Sequence, residues 1–248
     1  MKFPIKITPD SIRDSIIEIK YSSRLPFEVM IGYIFNALDE TYKYTNRPAP
    51  FTKDEQEAFQ RASLEFQVGP QSIFFTDTIK LDLRPNSLIF NCLDKYKGWT
   101  VYKAEIINTL RQISTIKEIE KYTRVGLRYV SEYPETDIAS CTKFKFSFGI
   151  PSISSDTYAF RSEFSVDQYR VILALQHKAQ MIMGIMNDGA AETKPISIID
   201  IDVIAKNLSI HTVDELFVFL DKMHAKEKEI FFSLIDENYL KKLNPVYE

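Results

Sequence analysis

Between Ser72 and Asn91 three short runs of β-type residues follow one another with almost nothing between them: Ser72–Phe75, Thr78–Leu83 and Ser87–Asn91. Arg84-Pro85-Asn86-Ser87 reads as the turn joining the last two. Strands joined this tightly run antiparallel, because a parallel return needs a crossover of about a dozen residues or more. That constraint recurs downstream. Tyr158–Ser165 and Gln168–Gln176 are two further strands, with Ser165-Val166-Asp167 as their connection. The chain therefore reads as α+β: antiparallel sheet packed against helices, not a strictly alternating βαβ fold.

The remaining elements fit around these runs. Ile12–Tyr21 alternates apolar and charged residues and predicts a strand. A helix starts at Ser23–Pro26, with Met30, Ile31, Ile34, Phe35 and Leu38 on one face. Asn46–Phe51 reads as a proline-containing loop and Lys53–Leu64 as a short polar helix. Thr100–Gln112 is helical with Val101, Ala104, Ile107 and Leu110 as its apolar stripe. Ile119–Glu132 is a long strand ended by Pro134. Lys143–Phe148 alternates Lys and Ser with Phe144, Phe146 and Phe148, the pattern of a half-buried strand. Met186–Glu192 reads as a loop tip and Lys194–Ala205 as a strand. A long C-terminal helix covers Val213–Leu234, N-capped by Thr212. Leu216, Leu220, Met223, Ile230 and Leu234 form its buried face, and Lys222, Lys226, Glu227 and Lys228 its wet face. The expectation is a single unit over residues 1–248. Residues 1–134 and 142–248 are candidate related halves.

Composition removes several functions. The seven glycines are scattered, so neither a dinucleotide fingerprint nor a complete phosphate loop is present. His177, His211 and His224 do not pair at metal-ligand spacing, and Cys92 and Cys141 form no CxxC. The sequence implies no metal and no cofactor. No apolar stretch approaches the roughly 18 residues of a membrane span. The N-terminus has no secretory pattern, which predicts a cytoplasmic protein with reduced thiols. A net charge of −3 disfavours, without excluding, nucleic-acid binding.

Three constellations are candidates for function. Arg128 in Gly126–Val130, with Asp200 and Asp202 on one face of another strand, reads either as a ligand or metal site or as a structural ion pair fixing sheet register. The aromatic residues Phe144, Phe146, Phe148 and Tyr158 form either a packed core, a pocket lining or a base-stacking surface. In the C-terminal helix, Phe231 and Phe232 are too wide for one stripe. With His224 they are the interface candidates.

Three blocks taken together are distinctive: Ile12–Tyr21 before a Pro-started helix; Gly98-Trp99 with Ile106 and Leu110 ahead of Arg124–Val130; and Ile199–Asp202 followed by Leu220, His224, Phe231–Ile235 and Tyr239–Leu243. In order and spacing the whole chain resembles a sporadically distributed, functionally uncharacterised prokaryotic family of about this length. The resemblance implies no catalytic residue. Its patchy distribution resembles that of defence or toxin–antitoxin cargo. The expected function is a non-catalytic protein-interaction or regulatory component of such a system, binding a protein partner or itself. The alternatives are a small-molecule- or RNA-binding module with an aromatic sheet, and a metal-dependent nucleic-acid enzyme using Asp200 and Asp202.

Overall fold

A computed structural model describes residues 3–47, 71–93, 95–145, 156–179 and 196–247. In chain order the described elements are β1 (Ile12–Ser23), α1 (Phe27–Ala37), β2 (Lys43–Arg47), β3 (Gln71–Phe75), β4 (Ile79–Arg84), β5 (Ser87–Cys92) and α2 (Trp99–Ile113). They continue with β6 (Ile119–Pro134), α3 (Ile138–Cys141), β7 (Tyr158–Val166), β8 (Tyr169–Ala179), β9 (Ile196–Ala205), α4 (Val213–Leu234) and α5 (Glu237–Lys242). The fold class is α+β on antiparallel sheet. Among the described residues no helix is long and apolar enough to cross a membrane.

The chain folds into two compact units. One comprises residues 1–15, 126–206 and 218–248; the other comprises residues 16–125 and 207–217. In the second of these the strands lie in the order β2-β3-β4-β5-β1, each antiparallel to its neighbour. The turn between β4 and β5 is the Pro85-Asn86 pair, with Asn86 at φ 55°. Asn tolerates this left-handed conformation because its side chain can satisfy nearby backbone groups. Alternation in β1 points Ile17 and Ile19 into the core, where both are fully buried, while Glu18 and Lys20 face the other way. Met30 and Ile34 of α1 and Ile106, Leu110 and Ile113 of α2 complete that core.

In the other unit the order is β6-β9-β8-β7. β7 and β8 form a hairpin whose turn residues are Asp167 and Gln168, one position beyond the expected connection, with Asp167 at φ 53°. Leu127 and Tyr129 of β6, Val171 and Leu175 of β8, and Ile199, Ile201 and Val203 of β9 are buried. Leu220 and Met223 of α4 are buried in the same unit.

Several expectations need correction. The buried stripe of α2 is Tyr102, Ile106, Thr109, Leu110 and Ile113, while Val101 is exposed. Tyr102 turns the helix to that face: its ring is buried and its hydroxyl donates to the Phe90 carbonyl at 2.9 Å. Phe35 lies 55% exposed instead of on the apolar stripe of α1. Asn46 and Arg47 end a strand, β2, where a loop was expected. Lys143–Lys145 are not strand. They follow α3, whose carbonyl at Ala139 accepts from Lys145 Nζ at 2.6 Å. Phe146 and Phe148, the Lys53–Leu64 helix and the Met186–Glu192 loop lie outside the described residues. In α4, Glu227 is buried, not wet. Thr212 caps that helix reciprocally. Its Oγ1 accepts from the Glu215 N–H at 3.2 Å, and Glu215 Oε2 accepts from the N–H groups of Thr212 and His211.

Candidate functional site

Period two places Arg128, Val130 and Glu132 on one face of β6, opposite the buried Leu127 and Tyr129. On β9 the same alternation turns Asp200 and Asp202 away from the buried Ile199, Ile201 and Val203. Because β6 and β9 are neighbours, Arg128 meets Asp200. The contact is a two-pronged fork: Arg128 Nε donates to one carboxylate oxygen at 2.8 Å and Nη2 to the other at 2.6 Å. This is the geometry in which guanidinium and carboxylate bind most strongly and most directionally.

The side chains are half-buried, at 27% and 18% exposure. Burial alone pulls the Arg128 pKa down. The hydrogen bonds and charge of Asp200, then the charges of Asp202 and Asp14, more than reverse it and hold the guanidinium ionised. Nearby, Arg13 pairs with Glu132 and lies 3.8 Å from Asp14. Each Asp200 oxygen accepts one bond of the fork. Among the described residues no group of three or more His, Cys, Asp or Glu is arranged to hold a metal ion.

Of the aromatic candidates, Phe144 and Tyr158 pack on each other and on neighbouring rings. Phe144 lies 4.7 Å from Phe160 and 6.3 Å from Tyr158 between ring centroids, and Tyr158 stacks on the buried His177 at 5.0 Å. His177 Nδ1 accepts from the Ile138 N–H at 3.4 Å and so ties β8 to the start of α3. Of the interface candidates, Phe232 stacks on Phe3 at 6.0 Å with Phe231 edge-on at 5.1 Å, and both are half-buried. His224 is half-buried too, its Nδ1 3.4 Å from the Tyr129 hydroxyl.

Sequence reasoning missed three features. Glu227 is 6% exposed in the buried stripe of α4, and burial pushes its carboxyl up to about 8 against the weaker pull of Lys228. Asp82 in β4 is buried with Oδ1 lacking a hydrogen-bond partner. Burial raises its pKa against the opposing charges of Arg84 and Lys80. No local signal marks Asp82, which looks like an ordinary wet-face charge, whereas Glu227 continues the spacing of Leu216, Leu220 and Met223.

The third feature is α1. Its eleven residues, Phe27–Ala37, contain one charge, Glu28, yet Val29, Tyr33 and Phe35 are 43%, 42% and 55% exposed. Beside Tyr33 runs a groove of about 340 Å³ lined by Tyr33, Asn36, Ala37, Ile116 and Lys117 among others, while Phe35 packs on Tyr44 and Phe74 on the other flank. The composition FEVMIGYIFNA was the available signal, since it is too apolar all round for a surface helix.

These features define a class, an α+β protein with a charge-paired sheet face and an apolar helix open to water. In comparisons with protein-family models, curated proteins and solved structures, nothing matches the chain.

Proposed function

We propose that the protein is a non-catalytic interaction component that docks an apolar segment of a partner protein on the face of α1 that carries Val29 and Tyr33. The observation that carries this reading is the exposure of Val29 and Tyr33, one turn apart on a helix with a single charge. Clustered exposed apolar side chains mark association surfaces more than they serve folding. Aromatic side chains supply much of the energy at such surfaces. The groove beside Tyr33 gives an incoming side chain a place to seat. The occupied fork of Asp200 supports a structural role for the Arg128 cluster. A cytoplasmic setting, with Cys92 and Cys141 as reduced thiols, belongs to the same reading. So does membership of a defence or toxin-neutralising system.

The test is quantitative affinity capture from the native host with the wild-type chain and with Val29→Glu/Tyr33→Glu. Both changes fall on exposed side chains. A protein enriched by the wild type and lost with the double variant supports the reading. An identical recovered set from both chains overturns it.

A further inference from the structure

β7 is the outermost strand of its unit, and among the described residues no strand pairs with its outer side. It pairs with β8 over all nine of its residues without a register shift. A regular edge of this kind carries free N–H and C=O groups and templates the addition of another strand. Proteins usually block such edges with proline, bulges or charged side chains, lysine above all. β7 (YAFRSEFSV) has no proline and no lysine, and its two charges are of opposite sign.

The order of its side chains is self-complementary about Ser162. Arg161 and Glu163 flank that residue on one face of the strand, and Phe160 and Phe164 flank it on the other. When an antiparallel second copy sets Ser162 against Ser162, each Arg161 faces Glu163 of the second copy. Each Phe160 then faces the second copy's Phe164. Opposite charges and paired aromatics at directly opposed positions are the contacts that stabilise antiparallel pairs. A twofold interface requires this kind of reciprocity, residue i on j and j on i.

The exposures fit. Arg161 and Glu163 side chains are 49% and 36% exposed, and Phe164 is 36% exposed. Within one copy Glu163 already accepts from Arg161 at 3.0 Å and pairs with Arg170. The second copy's Arg161 would add to a carboxylate that is already oriented.

We infer that β7 pairs antiparallel with β7 of a second copy of this chain, about a twofold axis at Ser162. The inference concerns a different surface and a different partner from α1 and does not depend on it.

Light scattering on size-exclusion fractions of the full chain, from low to high micromolar, tests it. The wild type is expected at twice the chain mass. Arg161→Glu alone and Glu163→Arg alone each set like charges opposite one another twice. Each is expected to raise the dissociation constant at least about tenfold. Mixing the two variants in equal amounts matches charge again, and the mixture is expected to recover the dimer mass. A monomeric wild type, single variants that dimerise as the wild type does, or a mixture that stays monomeric would each overturn the inference.

Discussion

Glu227 offers the sharpest test of the packing described above. The buried stripe of α4 runs Leu216, Leu220, Met223, Glu227, so a carboxyl occupies a position whose spacing calls for an apolar side chain. Burial raises its pKa from 4.5 to about 8. Between those values the unfolded chain holds a carboxylate while the folded chain holds the neutral acid. The folded state therefore binds more protons, and stability falls as pH rises, by about 1.4 kcal/mol per unit at most. Below the unfolded pKa the group costs nothing by this route. At pH 7 it costs about 3 kcal/mol, and above the folded pKa the loss levels off. Glu227→Gln keeps the shape of the neutral acid and removes the titration. Urea unfolding of both proteins at several pH values isolates the effect, because every other titrating group cancels in the difference. The advantage of the variant should grow by about 3 kcal/mol between pH 5 and pH 8. Parallel stability curves for the two proteins would refute the placement of Glu227 in the core.

Two further outcomes follow from named contacts. Arg128→Met should destabilise the protein by about 1–3 kcal/mol, since it leaves Asp200 half-buried without its fork. Adding Asp200→Leu should recover part of that loss, and strictly additive effects in the double-mutant cycle would disprove the coupling. Cys141 is fully buried and its thiol is pushed up to about 11 by burial. It should react with a thiol reagent at neutral pH only after unfolding, whereas the half-buried Cys92 reacts in the native protein. Two native thiols titrating at equal rates would contradict this.

Much of the secondary structure is legible from local pattern. β1, β6 and α4 follow from alternation or helical spacing over ten or more residues. The β4–β5 turn follows from Pro85-Asn86. The short strand β2 was not legible, since Lys43–Arg47 lacks alternation and is strand because β3 pairs with it. The buried stripe of α2 begins at Tyr102 and not Val101, although both are large and apolar enough to bury. Only the backbone carbonyl of Phe90, waiting for the Tyr102 hydroxyl, selects between them.

Sequence by itself determined the antiparallel α+β class and the face of its strand on which each charge of β6 and β9 stands. Both are properties of backbone geometry, set by residues within a few positions of one another. Tertiary structure alone decided which of those charges meet. Arg128 finds Asp200 only because β6 lies beside β9. It also decided that Asp82 is buried while Val29, Tyr33 and Phe35 are not. Burial depends on what distant segments pack against a face, and the local periodicity of that face carries no record of it.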